Sequence, residues 1–224
     1  MIDPNELPVE ATEVASLFPT HVWLTQLKRE DYTKINQQIV RKLMEITADR
    51  PALKAGEKWQ TEQELHTLEA FQGLNTFIYA AARRTLEYLK IIYDDFLITG
   101  CWANISAPGA SHEAHTHPNN YLSGVYYVQT QEGADSITFI DPRSRAYVIT
   151  PRASESRPDN VGRVTLRVRE GTLVIFPAWL VHAVEPNTSD RERVSVSFNL
   201  MFTSFGEKMA RPRWEGNLSI KKER

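Results

Sequence analysis

Residues 193–202 read Arg-Val-Ser-Val-Ser-Phe-Asn-Leu-Met-Phe, and this stretch decides the fold class. Apolar and small polar residues alternate along it. An extended chain would therefore place Val194, Val196 and Phe198 on one face and Ser195 and Ser197 on the other. Such alternation is typical of a β-strand that turns one face toward a hydrophobic core. We therefore predict a strand over the whole stretch.

Further segments with strand-like composition precede it. They are short, and turns rich in Pro, Gly, Asn and Asp separate them where an α/β protein would have helices. This arrangement predicts an antiparallel sandwich or barrel. The predicted strands are Phe96–Ile105, Tyr121–Gln129, Ser136–Ile140, Tyr147–Thr150, Val164–Val168, Thr172–Phe176 and His182–Val184.

The N-terminal part of the chain carries apolar residues at helical spacing instead. One helix is predicted to end before Pro51, and residues 52–60 are predicted to form a loop. Thr61 followed by Glu64 has the pattern of a capping box, so a second helix is predicted over Thr61–Lys90. Its apolar face is expected to pack against the outside of the larger sheet through Leu68, Phe71, Phe77 and Ile78.

The composition is that of an ordinary globular protein, with 42% hydrophobic and 24% charged residues. The formal net charge is −2, because 26 basic residues nearly balance 28 acidic ones. This balance gives no general electrostatic reason to bind nucleic acid or an anionic membrane. No apolar stretch approaches the roughly 18 residues that span a bilayer.

Cys101 is the single cysteine, so an intramolecular disulfide is impossible. Residues 1–13 are acidic and lack the basic start and apolar run of a signal peptide. We therefore expect a cytoplasmic protein. The sequence leaves open whether it forms a homodimer.

Histidines mark the candidate site. Residues 111–118 read Ser-His-Glu-Ala-His-Thr-His-Pro, and His182 follows further along the chain. If residues 114–118 are extended, His115 and His117 share a face, and a third imidazole from a neighbouring strand completes a facial set. Neutral imidazole suits divalent iron, and a facial set leaves coordination positions open for other ligands. The alternative is that these are loop histidines without a shared role.

At these residues the chain resembles the 2-oxoglutarate/Fe(II) oxygenases, and in particular a bacterial and phage group of them. The resemblance covers Phe96–Phe202. The stretches that carry it are His115-Thr-His-Pro-Asn-Asn-Tyr-Leu-Ser-Gly-Val-Tyr-Tyr-Val128, Gly171-Thr-Leu-Val-Ile-Phe-Pro-Ala-Trp-Leu-Val-His182 and Arg193-Val-Ser-Val-Ser-Phe-Asn199.

The resemblance implies a mainly β protein whose core is a double-stranded β-helix, also called a jelly roll or cupin-like fold. The implied division is an N-terminal segment (1–92) with two supporting α-helices, an oxygenase core (93–205) and a C-terminal tail (206–224). The implied function is that of a dioxygenase, and more narrowly of a hydroxylase. It would use Fe(II), 2-oxoglutarate and dioxygen to oxidise a small-molecule or peptidyl substrate.

The resemblance also assigns roles to individual residues. His115 and His182 match metal ligands. Arg193 matches the basic residue that binds the far carboxylate of 2-oxoglutarate, with Tyr127 and Ser197 as its partners. Asn104 is a weaker match, to a residue near the C1 end of the keto acid.

His117 departs from the family pattern, because most of these enzymes have Asp or Glu at that position. Three explanations are open. His117 is a genuine third ligand, or only two histidines bind the metal, or Glu113 supplies a carboxylate from a bulge. We favour the first, because alternation along an extended chain places His117 on the face of His115 without distortion.

Two other classes of function also remain open. One is a cupin-like three-histidine dioxygenase or isomerase that does not use 2-oxoglutarate, and the other is a non-catalytic metal-binding domain. Arg193 together with Tyr127 argues for the keto acid, unless Arg193 forms a surface ion pair with Glu185 or Asp190. The substrate cannot be predicted from the sequence.

Overall fold

The computed structural model describes residues 11–143 and 149–204. In chain order its elements are β1 Trp23–Gln26, α1 Arg29–Thr47, β2 Lys58–Gln60, α2 Gln72–Tyr88, β3 Phe96–Ser106, β4 His112–His115, β5 Leu122–Gln129, β6 Ser136–Ile140, β7 Arg163–Arg167, β8 Thr172–Pro177, β9 His182–Val184 and β10 Arg193–Phe202. The predicted strands are confirmed within a residue or so, with one exception. For Tyr147–Thr150, residues 144–148 lie outside the described part, and 149–150 are not in a strand. The predicted tail, 206–224, also lies outside it.

The strands form two antiparallel sheets. The major sheet has six strands in the order β1-β8-β5-β10-β3-β2, and the minor sheet has four in the order β4-β9-β6-β7. Apolar side chains from both sheets, among them Tyr127, Phe139 and Phe176, pack in one cluster between them. The two facing antiparallel sheets, with chain crossings between them, form a double-stranded β-helix, so the predicted fold class is confirmed.

The two helices cover the outer face of the major sheet. Ile39 from α1 and Leu74 and Ile78 from α2 are fully buried in one cluster with Tyr126 and Phe198 of the sheet. Burying each such side chain stabilises the fold by about 1.5–3 kcal/mol. This face of the sheet therefore contributes a large part of the fold's stability.

A β-bulge fixes the position of α1 on the sheet. The register between β10 and β5 shifts at Val194/Ser195, so that Val128 has no partner on β10. Asn36 of α1 donates a hydrogen bond to the Val128 carbonyl at 2.7 Å and accepts one from the Tyr126 hydroxyl, also at 2.7 Å. The buried amide thus satisfies two polar groups that the sheet leaves unpaired.

The predicted start of the second helix is wrong. The helix begins at Gln72, and residues 65–71 form two short 3₁₀ turns separated by Leu68, whose ψ of 141° is extended. The Thr61 hydroxyl accepts a hydrogen bond from the Ala103 N–H at 3.0 Å, so it binds β3 and does not cap a helix. Residues 58–60, predicted as loop, form the edge strand β2. No helix in the described ranges is long and apolar enough to cross a bilayer.

Candidate active site

A cavity lies between the two sheets, and polar side chains on the inward face of the major sheet line one side of it. Strand register arranges these side chains in rows, because residues paired across antiparallel strands point to the same face. From the Arg193 end of β10, the rows are Lys58–Ser106–Arg193, Gln60–Asn104–Ser195–Tyr127 and Trp102–Ser197–Val125.

Three histidines meet at this cavity. His115 ends β4 and pairs with His182 at the start of β9, while His117 follows on the turn into β5. Their ligand nitrogens all lie within 4.8 Å of one another, and the Nε2 atoms of His117 and His182 are 3.3 Å apart. Metal–nitrogen bonds of about 2.1 Å place two adjacent ligands about 3 Å apart, so this spacing suits one cation.

Backbone carbonyls fix the orientation of two of the rings. The Nδ1 atom of His115 lies 2.7 Å from the Glu113 carbonyl, and the Nδ1 atom of His182 lies 2.9 Å from the Leu180 carbonyl. A carbonyl can only accept, so each Nδ1 carries the proton and each Nε2 keeps its lone pair for a metal.

Burial keeps two of these imidazoles neutral. Desolvation lowers the pKa of both His117 and His182 to about 4, and the neighbouring histidines add to the effect. The Nε2 atoms of these two rings lie 3.3 Å apart, and a cation between them would bind both lone pairs with the His117 proton on Nδ1. The donor set therefore fits a divalent metal with nitrogen preference such as Fe(II).

Glu113 does not belong to this cluster. Its side chain is exposed, and the one group of metal-ligating side chains in the described ranges consists of His115, His117 and His182. Glu113 contributes through its backbone carbonyl, which holds the His115 ring.

Arg193 lies at one end of the cavity and is 2% exposed. Its Nη2 donates to the Ser106 hydroxyl at 3.3 Å, and no carboxylate in the described part of the chain forms an ion pair with it. Asp190 is instead 3.9 Å from Arg191. Burial lowers the pKa of Arg193, and the nearby Tyr127 opposes that shift. A buried cation without a counter-charge is costly, and an anionic ligand would remove that cost.

The remaining predicted residues also line the cavity. Tyr127 is 2% exposed, and burial raises the pKa of its phenol. Asn104 joins two neighbours, because its Oδ1 accepts from Gln60 at 2.6 Å and its Nδ2 donates to Ser197 at 2.9 Å. All seven residues singled out in the sequence thus face one space.

The geometry adds Ser195 to this set. Ser195 lies two residues from Arg193 on the same face, opposite Tyr127, and it lines the cavity. Ser197 is four residues from Arg193, a separation of about 13 Å along a strand. It stands level with Trp102, whose ring centroid is 5.9 Å from that of His117. Ser195 is therefore at the arginine end and Ser197 at the histidine end.

Two other cavity residues had no assigned role. His112 is half-buried, and desolvation, followed by the charges of Lys58 and Arg193, lowers its pKa to about 4. Gln60 comes from β2, a strand that the sequence did not indicate. The arrangement as a whole defines a class: a double-stranded β-helix protein with a three-histidine cluster that could hold one metal ion, next to a buried guanidinium.

The family follows from a direct match. Residues 100–199 match the family model described as "Putative 2OG-Fe(II) oxygenase". The matched segment contains the three histidines and every residue assigned to the keto acid. These residues are therefore similar to a 2OG-Fe(II) oxygenase domain, and the protein is an oxidoreductase that uses iron and 2-oxoglutarate. No curated protein matches the sequence.

Solved structures with the same fold are remote in sequence. They include the epimerase SnoN in complex with Fe3+, alpha ketoglutarate and nogalamycin RO, with 16% identity, 83% of this chain and 80% of that chain covered, and a TM-score of 0.59. HygX from Streptomyces hygroscopicus with nickel and 2-oxoglutarate bound has 11% identity, coverage of 82% and 83%, and a TM-score of 0.56. A Pseudomonas putida prolyl-4-hydroxylase has 15% identity, coverage of 82% and 93%, and a TM-score of 0.56. At these identities the likeness supports the fold.

Proposed function

We propose that this chain is a hydroxylating dioxygenase in which three histidines hold Fe(II) and Arg193 holds the far carboxylate of 2-oxoglutarate. One observation carries the proposal: a buried guanidinium, with which no carboxylate of residues 11–143 and 149–204 forms an ion pair, lies in the cavity that the three imidazoles enter. A dicarboxylate can bridge the histidine cluster and Arg193. One end offers oxygens to a metal held by the histidines, and the other offers a carboxylate to the guanidinium.

His115, His117 and His182 are the proposed metal ligands. Their Nε2 atoms share one space, and the carbonyls of Glu113 and Leu180 hold two of the rings in the required tautomer. When bound, iron and 2-oxoglutarate supply dioxygen activation, with conversion of the keto acid to succinate and carbon dioxide and oxidation of the substrate.

Arg193 is proposed to bind the far carboxylate through its planar fork, which matches two carboxylate oxygens. Tyr127 and Ser195, paired across β5 and β10 in the adjacent row, are placed to donate hydroxyl hydrogens to the same group. Ser197 and Asn104 are proposed to contact the keto-acid end, because they lie toward the histidines.

The cytoplasmic location stays a prediction.

The test is the affinity of 2-oxoglutarate for Mn(II)-loaded protein, measured by calorimetry. Arg193→Ala should weaken binding by about 2–5 kcal/mol, at least about thirtyfold, because it leaves a carboxylate unpaired in a shielded site. Arg193→Lys should recover part of this loss, since an ammonium cannot reproduce the fork. Mn(II) affinity should be unchanged in both variants.

Arg191→Ala is the matched control. Arg191 is two residues earlier, its side chain is 71% exposed, and its partner is Asp190. It should bind 2-oxoglutarate like the wild type, and iron-loaded wild type should form succinate from 2-oxoglutarate. Wild-type affinity in Arg193→Ala would overturn the assignment and favour the cupin-like alternative.

A further inference from the structure

Gln60 contributes to the cavity from outside the family-matched segment. It lies on β2, the edge strand of the major sheet, directly opposite Asn104 of β3. Its Nε2 donates to the Asn104 Oδ1 at 2.6 Å, and the Asn104 Nδ2 donates to the Ser197 Oγ at 2.9 Å. Three side chains from three adjacent strands thus form one chain of hydrogen bonds that runs from the sheet edge to the middle of the cavity.

The direction of these hydrogen bonds determines whether the Ser197 hydroxyl can donate to a ligand. The Ser197 oxygen accepts from Asn104, so its own O–H hydrogen is left to donate elsewhere. If the Asn104 amide were turned around, its oxygen would take that hydrogen instead. Reversal of Asn104 would break its hydrogen bond with the Gln60 N–H unless the Gln60 amide rotated as well, so Gln60 stabilises the orientation observed. Ser197 can therefore act as a donor as long as Gln60 keeps Asn104 in this orientation.

The hydrogen that Ser197 retains lies toward the histidine end of the cavity. Ser197 is paired with Trp102, and the Trp102 ring lies 5.9 Å from the His117 ring. Both side chains line the same space. The natural acceptor there is a negatively charged oxygen, since hydrogen bonds to ionised acceptors are stronger than neutral ones.

We propose that Gln60 is a positioning residue: through Asn104 it orients the Ser197 hydroxyl to donate to a carboxylate or keto oxygen bound beside the three histidines. This inference rests on the proposed function, which supplies 2-oxoglutarate as the ligand. It also means that the segment preceding the matched domain completes the site and is not merely a support for it.

A double-mutant cycle tests the proposal. The 2-oxoglutarate dissociation constant is measured by calorimetry on Mn(II)-loaded wild type, Gln60→Ala, Ser197→Ala and the double variant. Each single variant should bind about tenfold more weakly, the loss expected when one hydrogen bond to a charged ligand is removed. The double variant should bind no more weakly than Ser197→Ala, because Gln60 acts through Ser197.

Gln63→Ala is the matched control, since Gln63 is exposed, lies close to β2 and does not line the cavity. It should bind like the wild type. Gln60 is itself exposed, so Gln60→Ala should keep the wild-type unfolding midpoint and Mn(II) affinity. A purely structural role would change those two quantities.

Three outcomes would overturn the inference. Wild-type affinity in Gln60→Ala would show that the chain of hydrogen bonds does not reach the ligand. Fully additive losses in the double variant would show that Gln60 acts independently of Ser197. If wild-type protein bound no 2-oxoglutarate, the proposed function would fail and this inference with it. The first two outcomes leave the proposed function intact.

Discussion

The two faces of the major sheet are built from the same strands but differ in composition. On β10, Val196 and Phe198 point outward to the helices and are 0% exposed, whereas Ser195 and Ser197 point inward to the cavity. The outer face buries apolar surface, and the inner face positions polar groups around a space. The alternation of one strand therefore separates the residues that pack against the helices from those that line the cavity, and substitutions on the two faces should have different effects.

The largest effect is expected on the outer face. Ile78→Asp would place a charge at a fully buried position between α2 and the sheet, so we expect a chain that does not fold. Arg84→Asp introduces the same residue on the exposed side of α2 and should shift the unfolding midpoint little. Circular dichroism during urea titration distinguishes the two. Similar behaviour of both variants would mean that α2 is not docked through Ile78.

An intermediate effect is expected at the metal site. His182→Ala and His117→Ala should each lower Mn(II) or Fe(II) affinity by more than the roughly 10–100-fold that loss of an outer-shell partner costs. Glu113→Ala is the control, because its backbone carbonyl remains to hold His115. Calorimetric titration measures all three. Unchanged affinity in His117→Ala would support a two-histidine site, and a large loss in Glu113→Ala would restore the carboxylate explanation.

The smallest effect is expected where α1 meets the bulge. Asn36→Ala leaves the buried Tyr126 hydroxyl and Val128 carbonyl without their partner, so it should cost about 1–3 kcal/mol of the free energy of unfolding. Tyr126→Phe removes one of these two hydrogen bonds and should cost less. Metal and keto-acid affinity should be unaffected in both variants. A loss of ligand binding equal to the loss of stability would mean that the two faces are not independent.

Most strands could be predicted because alternation and turn residues are local properties of the sequence. The edge strands β1, β2 and β4 could not, since each is short and mostly exposed or half-buried, so little distinguishes them from loop. The helix start was misplaced at Thr61 because its hydroxyl has a partner, Ala103, that is distant in the sequence. In that case a tertiary contact decided the local structure.

The histidine cluster was easier to predict than the arrangement of the polar side chains around it. His115 and His117 lie only two residues apart, so they stay close together although β4 ends at His115 and His117 lies on the following turn. The position of Ser195 relative to Tyr127, or of Gln60 relative to Asn104, depends on the register between strands, which the sequence does not contain. Arg193 was identified by resemblance, but only the structure shows that it is buried and that no carboxylate among the described residues pairs with it.

The three candidate ligands differ in their access to solvent, since His182 is 4% exposed while His115 lies at the surface. A cation held there would therefore be gained or lost by rotation of one surface side chain, with the fold intact. Exposed side chains change rotamer in nanoseconds or less, far faster than domains unfold. The hydrogen bond from the His115 Nδ1 to the Glu113 carbonyl, 2.7 Å long, restrains that rotation. A chelator should strip such a centre from the native protein, which would regain its metal without refolding.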